Sequence, residues 1–226
     1  RRSIKGIQIF KVRMCLREVS ISETNVIYNL GVQDLRIASE SRLLSFRDDS
    51  KEICSQMGLQ LDDKRLRYTT QAILEKLSSE EESKIFKSIR FPMLGASLDF
   101  VLRQSENSAI NRIIFIVTDQ KDKMRHNDTV HIPSILKPLI QQEYESQVQN
   151  IETVAINNNP TSDPDARSFV RAKLFPILPK VASENYAFVS AGIPTLNEAI
   201  KTEIVLHSLR SPVAANYHFH RLKEPD

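Results

Sequence analysis

The chain has 226 residues, of which 41% are hydrophobic and 26% charged, with a formal net charge of +3 and two cysteines. That composition fits a globular protein with one large α/β domain, or one domain with extensions. The small net charge, with both signs interspersed, argues against duplex nucleic acid as a partner and leaves a small anionic ligand open.

Cys15 and Cys54 sit in unrelated contexts. Their spacing fits neither a metal site nor a disulfide framework, so two reduced thiols and a cytoplasmic protein are expected. No run reaches the roughly 20 apolar residues of a membrane span, and no signal peptide is visible.

Residues 1–24 mix basic and apolar positions without one period and read as an N-terminal extension. Arg1, Arg2, Lys5, Lys11, Arg13 and Arg17 would suit the cytoplasmic side of a bilayer. The expectation is a linker to an effector, or to a membrane anchor upstream of residue 1. A ligand-sensing domain would then occupy 25–226. Its first strand runs over 25–30 and ends at Gly31. A helix is expected over 35–44, with Asp34 as its N-cap. Residues 46–68 read as irregular, and helices follow over 69–77 and 79–88, the latter opening with the capping pattern Ser79-Glu80-Glu81-Glu82. Leu94, Leu98, Val101 and Leu102 define an amphipathic helix over 92–104.

Ile113-Ile114-Phe115-Ile116-Val117 is apolar on both faces, as in a parallel strand covered by helices. It ends at Thr118-Asp119-Gln120. A helix over 132–144 and a strand over 151–156 follow. Asn157-Asn158-Asn159-Pro160 breaks that strand, and Asp163 or Asp165 caps the next helix. A strand over 186–189 then enters the turn Ser190-Ala191-Gly192-Ile193 and a helix opened by Pro194. Residues 216–222 alternate and read as a final surface strand. Strands alternating with helices imply an α/β, Rossmann-like three-layer fold with a mainly parallel central sheet.

Three loops at strand ends are the candidate ligand site, because open α/β sheets bind ligands there. They comprise Gly31, Val32, Gln33 and Asp34; Thr118, Asp119 and Gln120; and Ser190, Ala191, Gly192, Ile193, Pro194, Thr195 and Asn197, with His126 nearby. Gly192 permits close backbone approach, and the free N–H groups of the helix start can seat a phosphate. The Gln120 amide can pair with an adenine edge through two hydrogen bonds. The plainer alternatives are turn formation and helix initiation.

In order and spacing, Leu30-Gly31-Val32-Gln33-Asp34, Phe91-Pro92, Val117-Thr118-Asp119-Gln120, Asp128-Thr129, Pro160 with Asp163, and Ser190-Ala191-Gly192-Ile193-Pro194-Thr195-Leu196-Asn197 resemble the CARF (CRISPR-associated Rossmann-fold) domain over roughly residues 25–210. The resemblance implies a sensor of cyclic oligoadenylates, second messengers of type III CRISPR antiviral defence in prokaryotes. It implies cyclic tetra-adenylate bound across a homodimer axis, an effector outside this segment, and no cofactor. Ala191, Ile193 and Val32 replace residues that are commonly glycine, threonine and threonine in that family. The competing reading is a generic Rossmann-like regulator of nucleotides or metabolites.

Other motifs carry less. Arg125 and His131, separated by five residues, resemble the ribonuclease motif of HEPN effectors, but they fall in a loop of the α/β unit. His218 and His220 share a strand face without a third metal ligand. No Walker loop, dinucleotide fingerprint or nucleophile elbow occurs. The enzymatic reading is therefore limited to slow cleavage of a bound ring by a positioned ribose hydroxyl, with no catalytic side chain assigned.

Overall fold

A computed structural model describes residues 8–12, 23–77, 82–105, 109–121, 125–179, 181–189, 192–210 and 215–221, with backbone alone at 8–12, 82–84 and 221. Strand β1 is Gln8–Val12, followed by β2 (Glu23–Asn29), the short strands β3 (Arg36–Ala38) and β4 (Leu43–Ser45), and helices α1 (Ser50–Gln56), α2 (Leu66–Leu77) and α3 (Glu82–Ser88). Then come β5 (Ile89–Arg90), α4 (Pro92–Gln104), β6 (Ile110–Thr118), α5 (Ile132–Tyr144), β7 (Val148–Ile156), α6 (Asp163–Phe169), β8 (Ser183–Phe188), α7 (Pro194–Arg210) and β9 (Ala215–Arg221).

The main sheet has the order β1-β9-β8-β2-β6-β7. Five of its strands are parallel, and β1 joins antiparallel to β9. Part of the 1–24 extension is thus an edge strand of the sheet. The fold is α/β and Rossmann-like, as expected. Strand alternation builds its three layers. Val26 and Tyr28 of β2, with Ile113, Phe115 and Val117 of β6, face a core completed by Ile53, Ile73, Leu94, Leu98, Ile135 and Ile140. Ile27, Ile114 and Ile116 face the other way, onto Ala166 and Phe169 of α6 and Leu196, Ile200 and Ile204 of α7. Helices α1, α2, α4 and α5 therefore cover one face, and α6 and α7 the other.

The helix expected over 35–44 is instead the hairpin β3–β4, which β5 extends to a three-stranded antiparallel sheet. Ile37, Leu44 and Ile89 form its buried row. Helix α1 occupies part of the stretch read as irregular. Asp163 begins α6 rather than capping it, the N-cap being Ser162. The helical run continues through a wide π turn (Val170–Leu174) and a 3-10 turn (Phe175–Ile177). There Arg171, together with Arg167 of α6, grips the buried Glu203 of α7 at 2.7 and 3.0 Å.

Strand β9 is not a surface strand. His218 and His220 are 8% and 2% exposed, stacked on Tyr186 and Phe188, with Phe100 against His220. No group of metal-binding side chains occurs among the described residues, and no helix among them is long and apolar enough to cross a membrane. Cys54 is a buried free thiol. Cys15 and most of Ser79-Glu80-Glu81-Glu82 lie outside the described residues.

Candidate functional site

Strands β2 and β8 are parallel neighbours at the centre of the sheet, with Tyr28 opposite Phe188. After β2 the chain turns to the face covered by α1, α2 and α4, and after β8 to the face covered by α7. This is the switch point of an open α/β sheet, where diverging loops leave a crevice at the carboxyl ends of the strands. Two of the predicted loops meet there.

On the β2 side, the Gly31 N–H donates to Asp34 Oδ2 at 2.6 Å and Tyr28 Oη donates to Asp34 Oδ1 at 2.5 Å. The Asp34 N–H returns to the Gly31 carbonyl at 3.2 Å, closing the turn. Asp34 is fully buried, so it braces the turn from below instead of capping a helix. Burial pushes its carboxyl up to about 6, against the opposing pull of Tyr28, the Gly31 amide and Arg36. Burial, with the Asp34 charge, also pushes the Tyr28 hydroxyl well above its ordinary value. Val32 packs on the core. Gln33 presents a buried amide oxygen, Oε1, with no hydrogen-bond partner.

On the β8 side, Ser190 and Ala191 lie outside the described residues. Gly192 has φ +76°, a left-handed conformation that disfavours side chains. A Cβ there would lie 2.6 Å from Asn29 Nδ2. The flank of Gly192 is thus filled by Asn29, the last residue of β2, and does not open freely onto a ligand. Asn29 Nδ2 in turn donates to Asn197 Oδ1 at 2.6 Å. This amide bridge ties the end of β2 to the first turn of α7, where the Asn197 N–H donates to the Ile193 carbonyl at 3.0 Å. Ile193 packs on the second core, while Pro194 is exposed and Thr195 half-buried at the helix start. Sequence reasoning missed Asn29; its one signal is an amide closing an otherwise apolar strand.

The third loop follows β6, next to β2 on the side away from β8. Most of its polar groups are committed internally. The hydroxyls of Thr118 and Thr129 each accept the other residue's backbone N–H, at 3.2 and 3.1 Å. The Gln120 amide donates to Asp128 Oδ1 at 3.0 Å, and its backbone N–H to Asp128 Oδ2 at 2.6 Å. Arg67 of α2 bridges Asp119 and Asp128 at 2.8 and 2.9 Å. Thr118 and Gln120 therefore shape the loop, and the carboxylate of Asp119, about one-third exposed, is the group nearest to solvent.

His126 sits half-buried in the 3-10 turn Arg125–Asn127, which lies against α2. His131 caps the start of α5 beside Arg67 and Asp119, with a buried, unpartnered Nε2. Burial and the Arg67 charge lower its proton affinity. Arg125, in that 3-10 turn, and His131, at the start of α5, both belong to the α/β unit.

Two of the loops are thus joined across the β2–β8 switch point, and the third flanks them as a rigid shoulder. What this edge offers a ligand is a braced glycine turn, a helix N-terminus and the Gln33 amide. Neither any protein-family model nor any curated protein matches the chain.

Proposed function

We propose that this chain is a sensor that binds a cyclic oligoadenylate in the crevice between β2 and β8, across the axis of a homodimer, and that it controls an effector outside this segment. The observation that supports the reading most is the pairing of the Gly31 turn with the Gly192–Pro194 helix start at the switch point. A helix N-terminus favours a phosphate, and the unpartnered Gln33 oxygen favours a base or ribose donor. The choice of an adenylate ring, and of the four-membered ring in particular, rests on the motif resemblance and belongs to type III CRISPR defence.

Calorimetric titration with cyclic tri-, tetra- and hexa-adenylate tests it. The expected result is heat with cyclic tetra-adenylate, saturating at one ring per two chains. Saturation at one ligand per chain favours a generic nucleotide regulator with the same fold, since a fold alone does not choose between them. Absence of heat with all three rings rejects the reading.

A further inference from the structure

In the small sheet, Arg36 of β3 stands directly opposite Arg90 of β5. Directly paired residues of antiparallel strands project to the same face, so the two guanidinium stems lie side by side. Like charges in that position destabilise a sheet. The neighbouring row, Ile37 with Leu44 and Ile89, is buried in the core, so the arginine row faces away from it.

Several other arginines among the described residues are matched. Arg42 pairs with Asp49 and Glu52, Arg65 with Asp63, Arg67 with Asp119 and Asp128, and Arg167 and Arg171 with Glu203. Arg36 and Arg90 make no ion pair among the described residues. The carboxylates within electrostatic reach of Arg36 are engaged elsewhere: Asp34 with Tyr28 and the Gly31 amide, and Asp49 with Arg42 and the Ser45 amide. Glu143 is felt by Arg90 but forms no pair with it. Arg90 Nη1 is held by the carbonyls of Lys87 and Ile89, both at 2.7 Å. That fixes one arm of the guanidinium and leaves its other edge for a ligand. Arg36 follows the Gly31–Asp34 turn by two residues, close enough for its charge to act on Asp34.

We propose that Arg36 and Arg90 form an anion subsite beside the Gly31 turn, which takes a phosphate group of the ligand in the crevice. The inference deepens the oligoadenylate reading and rests on it for the identity of that ligand. Two adjacent guanidinium groups offer planar donor pairs suited to phosphate oxygens. A shared anion also removes the repulsion that the bare pair carries. The cost of juxtaposing the charges would then be met only in the bound state, which makes the pair responsive to occupancy.

The test compares the full chain with Arg36→Gln and Arg90→Gln, using cyclic tetra-adenylate and inorganic pyrophosphate as probes. Each variant without ligand is expected to melt at or a few degrees above the wild type, because the repulsion is gone. Each is expected to bind cyclic tetra-adenylate at least about tenfold more weakly, the loss typical of a charge-assisted hydrogen bond, and to lose the rise in Tm that pyrophosphate gives the wild type. Wild-type affinity for the ring in both variants overturns the subsite and leaves the oligoadenylate reading standing. A lowered Tm of both unliganded variants also overturns it, since the arginines would then be structural. Protection of the wild type by pyrophosphate but not by the ring, lost in the variants, upholds the subsite and rejects the adenylate. Failure of both probes on the wild type overturns both.

Discussion

Gly192→Ala is a small substitution with a calculable effect. At φ +76° an alanine is strained, by about 1–2 kcal/mol. Its Cβ would fall 2.6 Å from Asn29 Nδ2, closer than real atoms approach, so the Asn29 side chain must turn away. That movement breaks its 2.6 Å bond to Asn197, and disrupting a buried hydrogen bond costs about 1–3 kcal/mol. Together these give about 2–5 kcal/mol, which for a chain of this length lowers Tm by about 5–15 °C. Asn29→Ala removes the obstacle and the bond at once. In that background Gly192→Ala is expected to cost only the strain, about 1–2 kcal/mol. Urea denaturation of the wild type, both single variants and the double variant measures the coupling. Additive losses, with Gly192→Ala equally costly in both backgrounds, refute the packing account of Gly192. A bulky residue at position 192 strikes Asn29 before any ligand, so loss of binding in such a variant says nothing about ligand contact.

Two further groups titrate in opposite senses. The Asp34 carboxyl is raised to about 6 by burial, so the folded chain holds the extra proton between about pH 4 and 6. Taken alone, this group lowers stability by about 3 kcal/mol as pH rises through that window, and Asp34→Asn is expected to remove that contribution in urea denaturation at pH 4.5, 5.5 and 6.5. Burial, with the His218 charge, pushes His220 down to about 4, so the unfolded chain takes the proton first and stability is lost as pH falls from 6.5 towards 4. The wild type is expected to be nearly flat between pH 4 and 6.5, and each substitution to expose the other group's slope. Because neither ring nitrogen of His220 has a hydrogen-bond partner, His220→Phe should keep the stack on Phe188 and leave stability at pH 7.5 unchanged or about 1 kcal/mol higher; a loss above 2 kcal/mol in the same assay refutes the buried, unpartnered ring. Removal of the Glu203 charge in Glu203→Gln is expected to lower stability at pH 7, since the charge-assisted bonds from Arg167 and Arg171 are weakened, and to lower it by less at acid pH, where the wild-type carboxylate is itself protonated; its two arginines hold it below the ordinary range.

The parts of the fold legible in the sequence were those whose own residues determine them. Ile113 through Val117 are apolar on both faces because helices cover both faces, and α4 and α7 begin at Pro92 and Pro194, where their helices were expected to open. The hairpin β3–β4 was not legible, since each strand has three residues and is held by packing of Ile37, Leu44 and Ile89 into a core assembled from distant segments. Helix α1 buries only Ile53 and Cys54, too few positions to show a period. His218 and His220 read as surface residues because the rings that bury them, Phe100, Tyr186 and Phe188, come from strands and helices far along the chain. At the site, the loops were placed correctly at strand ends, but the division of labour within them was hidden. Asp34 faces inward, Gln120 serves Asp128, and Gly192 makes room for Asn29.

The pairing of β1 with β9 bears on how the chain is made. Translation delivers Gln8–Val12 before the other described strands, and its pairing partner β9 is the last of them, so this edge of the sheet can be closed only after the strands between have been synthesised. Ten residues, 13–22, connect β1 to β2, and three strand spacings, about 14 Å, separate them in the sheet. Ten residues can reach about 33 Å when extended, so chain length alone does not oppose late pairing of β1. At high protein concentration the same strand can dock on the β9 of a second copy, with unchanged pairing and no new contacts. Exchange of β1 between chains is therefore the misassembly to look for when the protein is refolded from concentrated solution.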